Sequence, residues 1–218
     1  MSHVVHPYAH RIGIIRGWKS RWFSMHGRYR KNLKCDVLVR EWMEKKMRGQ
    51  YVADIEIERG ENTLRIIIKT SRPGIIIGRN GEGALKLKSE IVNFMKKIDA
   101  DTKVDFKLEI EEVKSPESSA SIVAQMIAEG LEKRMPFRRV MKQMVDKVMA
   151  SRDVLGLRIY LGGRLGGAEM ARTEEIKKGQ IPLQTFRSDI DFKRYEANLP
   201  YGNIGIKVWI YKGQIFNK

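Results

Sequence analysis

Between Tyr51 and Lys69 the chain alternates apolar and polar positions with a period of two. Tyr51, Ala53, Ile55 and Ile57 interleave with Val52, Asp54, Glu56 and Glu58, and Leu64, Ile66 and Ile68 interleave with Arg65, Ile67 and Lys69. Each run predicts a half-buried strand, because successive side chains of a strand point to opposite faces. Glu61-Asn62 supplies the turn between them. Upstream the period becomes helical. Leu38 and Trp42 share one face and Val39, Met43 and Met47 line the next stripe, from a capping Asn32 to about Arg48, with Gly49 as the stop. Downstream, Pro73-Gly74 breaks the strand pattern and a short helical turn precedes Gly78. A helix from Gly81 to about Ile98 carries the stripe Ala84, Leu87, Ile91, Met95 and Ile98. A last strand places Val104, Phe106, Leu108 and Ile110 inward and Asp105, Lys107, Glu109 and Glu111 outward. With the short turn counted, the order is α-β-β-α-α-β, an α+β unit over residues 32–114.

Ser115-Pro116-Glu117 marks a boundary, and residues 115–218 read as a second α+β unit. Two helices are expected at 119–134 and 136–150, the second opening on Pro136 and burying Phe137, Val140, Met141, Met144, Val145 and Val148. Strands are expected at 155–161, 186–195 and 204–211, with a glycine-rich, basic connection after the first. The two helices then pack on an antiparallel or mixed sheet. The sequence shows no internal repeat and no low-complexity tract.

Charge changes the picture. The 218 residues hold 42 Lys and Arg against 26 Asp and Glu, a net charge of +16. A polyanion is the expected partner, and nucleic acid fits better than a membrane surface, since no long cationic amphipathic helix with Trp and Leu opposite is evident. From Met1 to Cys35 there is no acid, and the cations, Arg11 and Arg16 among them, alternate with Tyr8, Trp18, Trp22, Phe23 and Tyr29. Residues 1–31 read as a basic, aromatic arm that contacts RNA or a neighbouring protein. Cys35 is the only cysteine, which excludes an intrachain disulfide and fits a reducing cytoplasm. No apolar stretch approaches membrane-spanning length, and Val4-Val5 is interrupted too soon to form a signal core.

The candidate chemistry starts at Gly78-Arg79-Asn80-Gly81. This GRNG turn lies between strand patterns and a helix, the G-x-x-G form with which KH modules clamp the backbone of single-stranded nucleic acid. Glycines let the main chain approach phosphates, and a helix N-terminus offers unpaired N–H groups to an anion. Gly78, Gly81 and Gly83 are in the wrong order for a dinucleotide fingerprint, and no G-x-x-x-x-G-K-[ST] loop occurs, so no nucleotide site is expected. The second cluster, Gly162 to Gly167, reads either as an unliganded strand-to-helix connection or as a close approach to RNA with Arg164 and Arg172 on phosphates. Lys142 lies one helical turn from both Arg138 and Arg139, and the three form either a solvated face or a binding patch. His3, His6, His10 and His26 lack metal-ligand spacing, and Ser118-Ser119 has no triad partners. Asp189 and Asp191 read as strand-surface charges beside Arg187 and Lys193. No metal, cofactor or small-molecule substrate is expected.

Six segments carry a wider resemblance: VVHPYAHRIGIIRGWKSRWF (4–23), TSRPGIIIGRNGE (70–82), KRMPFRRVMKQ (133–143), GGRLGGAEMARTE (162–174), PLQTFRSDID (182–191) and YGNIGIKVWIYKG (201–213). Together they are highly specific, and the chain resembles, end to end, bacterial-type small-subunit ribosomal protein three. The resemblance implies an N-terminal type II KH domain, a C-terminal α+β domain, and a cytoplasmic, ribosome-associated place in the head of the small subunit on its rRNA. It implies that Arg138, Arg139 and Lys142, through the pattern FRR-x-x-K, contact messenger RNA at the entrance channel and assist its passive unwinding. It also implies proteins ten and fourteen of the head as partners, and makes the arm and 162–172 expected rRNA or protein contacts. The stretch 96–102 is longer than the family pattern, and the chain ends soon after its last strand without the tail some relatives carry. Two other classes are compatible with the charge and the motifs. One is a DNA-lesion lyase or nuclease, for which one buried lysine would suffice; the other is a free KH-type RNA-binding regulator.

Overall fold

A computed structural model describes residues 5–61, 63–98 and 105–216. The expectations at His3, Asn62 and Val104, and at 99–102 of the longer stretch, lie outside the described residues. The chain forms two compact units: the residues up to Gly17 with those from Ser115 on, and Trp18–Lys114. The expected separate arm is thereby corrected, since its two halves belong to different units.

In the Trp18–Lys114 unit, β1 (Ser20–Arg21), α1 (His26–Lys46), β2 (Val52–Arg59), β3 (Thr63–Thr70), α2 (Pro73–Ile77), α3 (Glu82–Lys97) and β4 (Asp105–Glu112) follow in order. The sheet order is β1-β2-β3-β4, with β1 parallel to β2, β2 antiparallel to β3 and β3 parallel to β4. Val39, Met43 and Met47 of α1 and Leu87, Ile91 and Met95 of α3 bury against Ile55, Ile57, Leu64, Ile66, Ile68 and Phe106, as the periodicities predict. Trp42 stacks on Phe94, ring centres 5.5 Å apart. Helix α1 starts at His26 rather than Asn32, without a side-chain cap. Nothing between Met25 and Asn32 breaks a helix except Gly27, the intervening Lys and Arg are good helix formers, and Trp22 meets Tyr29 at 5.1 Å.

The other sheet face is a ladder of ion pairs. Lys19 meets Asp54, Arg65 bridges Glu58 and Glu109, and Lys69 lies 2.7 Å from Glu56. Arg65 holds the Glu109 carboxyl below the usual carboxylate range. Cys35 is buried, which pushes its thiol up and leaves it unreactive.

The second unit contains α4 (Ala120–Glu132), α5 (Phe137–Met149), β5 (Gly156–Gly163), β6 (Arg172–Gly179), β7 (Ser188–Leu199) and β8 (Gly202–Gln214). The sheet order is β6-β5-β8-β7, antiparallel throughout. Helix α4 is apolar on nearly every side and buried, while α5 buries one stripe: Val140, Met141, Met144, Val145 and Val148. Both close over Leu157, Ile159, Leu161, Ile204, Ile206 and Val208.

Strand β6 replaces the expected basic connection. As an edge strand it carries charge on both faces, and only Ile176 interrupts RTEEIKKG, so the apolar alternation that marks a strand is missing. The glycine cluster therefore joins strand to strand, with Gly162 and Gly163 inside β5. Asp189 and Asp191 have structural partners other than those expected: Asp189 pairs with Arg16 at 2.5 Å, and Asp191 accepts from the Ala120 amide at 2.8 Å, capping α4.

Candidate nucleic-acid interface

Helix α2 ends at Ile77 and α3 starts at Glu82, so GRNG is the joint of a helix pair. Gly78, Asn80 and Gly81 have φ of 70°, 51° and 80°. Asparagine tolerates this left-handed region better than most residues, and glycine occupies it without penalty. Gly83, which the motif reasoning weighed only for dinucleotide binding, makes the joint possible. A Cβ there would lie 2.6 Å from the Ile76 carbonyl oxygen and 2.9 Å from that of Ile77. The first turn of α3 thus abuts the last turn of α2, and the chain between them bulges outward. Arg79 and Asn80 are exposed, and no side chain caps the N-terminus of α3. The turn presents a cation and a polar amide at a helix start without a side-chain cap, where the Glu82 amide already donates to the Arg79 carbonyl.

Beside it, Ala84, Leu85 and Lys88 of α3 and Lys107, Leu108 and Glu109 of β4 line an open groove of about 370 Å³. Leu85 is 66% exposed there. Its apolar floor and two lysines suit bases and phosphates respectively. The contacts expected from the sequence do not include Lys88 or Lys107. Lys88 follows Ala84 by one helical turn and Lys107 alternates outward on its strand, so the periodicities place both at the surface.

The second unit gathers three segments of sequence. Gly166 lies below the ring of Phe137, where a Cβ would approach its Cε1 to 4.0 Å, and Gly167 lies beside the ring of Tyr201. The FRR-x-x-K helix, the glycine cluster and the start of β6 thus share one face. Arg139 and Lys142 are exposed and make no ion pair among the described residues. Arg138 is exposed but forked onto Glu174, with Nε to Oε2 at 3.3 Å and Nη2 to Oε1 at 3.1 Å. Arg172 lies 3.8 Å from the same carboxylate. Both guanidiniums lie over the Phe137 ring, at 5.6 and 5.5 Å. Arg138 holds the Glu174 carboxyl below the usual carboxylate range.

Three expected contacts fare differently. Arg11 is 1% exposed, and its guanidinium donates to the carbonyls of Pro7, Leu183, Thr185 and Ser188. A phosphate cannot reach it, so the expectation of an RNA contact at Arg11 is corrected: the residue is a buried tie between Pro7 and the 183–188 segment. Arg16 is half-buried and neutralised by Asp189. Arg164 donates to the carbonyls of Ala168 and Tyr201, at 2.9 and 3.2 Å, and shapes the glycine turn. In compensation, Arg28, Arg30, Lys31 and Lys34 on the first turns of α1 are exposed.

No helix of the described residues is long and apolar enough to cross a membrane. Among the described residues no group of three or more His, Cys, Asp or Glu is arranged to hold a metal.

A G-x-x-G helix joint on a unit of helices packed on one face of a sheet, with unneutralised cations on both units, defines a KH-type RNA-binding protein. The family model for the KH domain matches residues 38–118, and that for the C-terminal domain of ribosomal protein S3 matches residues 127–210. The chain is 42% identical over 215 residues to small ribosomal subunit protein uS3 of Clostridium novyi, covering 99% of this chain and 94% of that one. It is 43% identical over 217 residues to uS3 of Xanthomonas oryzae pv. oryzae, covering 100% and 86%, and 44% identical over 215 residues to uS3 of Marinobacter nauticus, covering 99% and 91%. The chain belongs to the uS3 family of small ribosomal subunit proteins. Its role is structural and RNA-binding, at the ribosome in the cytoplasm, and not enzymatic. The lyase or nuclease alternative is thereby set aside.

Proposed function

We propose that the outer face of α5 handles incoming messenger RNA at the entrance channel of the small subunit, while the KH unit anchors the protein in the head. Arg138, Arg139 and Lys142 contact the single strand as it enters, and Arg172 extends the row. Unwinding is passive: the cations hold the strand that translocation has already pulled free, so the protein needs no nucleotide site. The observation that carries this reading is the exposure of Arg139 and Lys142 without an acid partner, on a helix whose opposite stripe is locked in the core. A fixed helix holds its cations at one-turn spacing at no further entropic cost, unlike a tail. The GRNG turn, its neighbouring groove and the exposed cations of α1 serve rRNA, and proteins ten and fourteen are the expected protein neighbours.

The test is the triple variant Arg138→Ala, Arg139→Ala, Lys142→Ala. Surface substitutions of this kind shift folding by about 0.5 kcal/mol or less each, so subunits should assemble normally. Affinity of the free protein for single-stranded RNA should fall about tenfold, and the salt slope by about 2. Reconstituted translation should slow on messages with a stable hairpin and keep its rate on unstructured ones. An unchanged rate on hairpin messages would defeat the reading.

A further inference from the structure

The proposed RNA face contains one residue of the wrong sign. Glu174 is only 26% exposed at its side chain, and both of its oxygens are engaged by Arg138 while Oε1 also faces Arg172. Its place on β6 is fixed by the ladder, which pairs Glu174 with Leu161 of β5. The two cations are held from below by the Phe137 ring. One carboxylate, two guanidiniums and one aromatic ring thus form a closed cluster beside Arg139 and Lys142, which have no such acid.

We infer that Glu174 is an internal stand-in for RNA phosphate: it occupies the guanidinium fork of Arg138 when no strand is present, and a phosphate must displace it to bind there. This rests on the proposed messenger-handling role of α5. The chemistry of the two anions is alike. A carboxylate and a phosphodiester each offer two oxygens to a planar guanidinium fork, so one replaces the other without rearranging the arginine. Exchange of one anion for another yields little net free energy, because the fork loses one pair as it gains the next. The face therefore has two kinds of cation. Arg139 and Lys142 attract the strand at long range, whereas Arg138 and Arg172 bind weakly and release quickly. Weak, exchangeable contacts suit a polymer that must advance one nucleotide at a time, where a tightly bound phosphate would act as a brake. The lowered pKa of Glu174 agrees with a carboxylate that stays charged and in place at neutral pH.

The test uses the full chain and a fluorescent single-stranded oligouridine across a salt series. Glu174→Gln keeps the shape of the side chain and removes the competing charge. It should tighten binding about threefold, the scale of one exposed ion pair, and steepen the salt slope by about 0.7, one further phosphate contact. Glu174→Ser, which removes the carboxylate and shortens the side chain, should show the same gain. Glu175→Gln is the charge control: its carboxylate pairs with Arg158 at 2.6 Å, and as the next residue of the strand it points to the other sheet face. It should change the affinity much less. The gain from Glu174→Gln should also vanish when Arg138 and Arg172 are both alanine.

Equal gains for Glu174→Gln and Glu175→Gln would mean bulk charge alone, and would overturn the inference. So would weaker binding, or a lowered melting temperature with no gain in affinity, the signature of a purely structural pair. If the triple variant weakens binding while Glu174→Gln leaves it unchanged, only the role of Glu174 fails. If the triple variant has no effect on binding, the messenger-handling reading fails and takes this inference with it.

Discussion

At Gly78–Gly83 and at Gly162–Gly167 the chain uses glycine for the same backbone reasons, yet the arginines there end in opposite states. In the first segment, Gly83 lets two helices abut against carbonyl oxygens, and the turn above them leaves Arg79 exposed. In the second, a Cβ at Gly163 would lie 3.0 Å from the Asn203 carbonyl oxygen, and Gly166 and Gly167 turn left-handed against Phe137 and Tyr201. There Arg164 is consumed by the carbonyls of its own loop. A glycine-rich basic motif is therefore not in itself a phosphate site. What decides is whether the turn has satisfied its own acceptors before a ligand arrives.

The same contrast separates Arg11 from Arg79, and it gives the largest expected effect. Arg11→Ala would orphan four carbonyls, two of them buried and two partly buried, and should destabilise the protein by about 3 kcal/mol, read by urea unfolding. A loss under about 1 kcal/mol would show that water replaces the guanidinium and that Arg11 is less of a tie than its contacts imply. Next, Gly83→Ala forces a methyl into backbone oxygens and should cost about 2 kcal/mol, while Gly166→Ala makes only an ordinary contact with Phe137 and carries a left-handed φ, at about 1 kcal/mol. Equal costs in the two would erase the distinction between close approach and backbone conformation.

A smaller pair of effects tests the arginines themselves. Arg79→Ala should lower affinity for single-stranded RNA about threefold without moving the melting temperature. Arg164→Ala should lower stability by about 1 kcal/mol with little change in affinity. A reversed pattern, seen by fluorescence anisotropy and thermal melts on the same samples, would invert the comparison.

The smallest effect is on pH. The folded-state pKa values of Glu109 and Glu174 are lowered, so the stability they contribute is full above their unfolded value, about 4.3, and is lost as pH falls through the folded value. Denaturation midpoints should be flat from neutrality down to that region and drop only below it. A decline already at pH near 6 would point to other groups.

The elements with a strong apolar period were legible in the sequence. Strands β2 and β3, the stripe of α3 and that of α5 fall where the alternation puts them, because burial on one face leaves a periodic record. Strand β6 left none, being an edge strand with charges on both sides. The early start of α1 was hidden by a better cap at Asn32, which the structure places inside the helix. In the site, GRNG and FRR-x-x-K are local and could be read directly. The burial of Arg11 and the engagement of Arg138 by Glu174 could not. The first depends on carbonyls more than 170 residues away, with Ser188 at a separation of 177, and the second on a strand that the sequence did not announce. Charge is visible residue by residue, whereas neutralisation is a property of the fold.

The burial of Arg11 also sets the order in which a growing polypeptide can mature. Trp18–Lys114 is contiguous and holds all the strands of its own sheet, so it can close soon after it leaves the exit tunnel. Its predecessor segment, with Arg11, must wait unmated until Leu183, Thr185 and Ser188 have been synthesised. A chain whose translation stops before that point lacks the three distal carbonyls that hold the Arg11 guanidinium, so the segment up to Gly17 has nothing to dock on there.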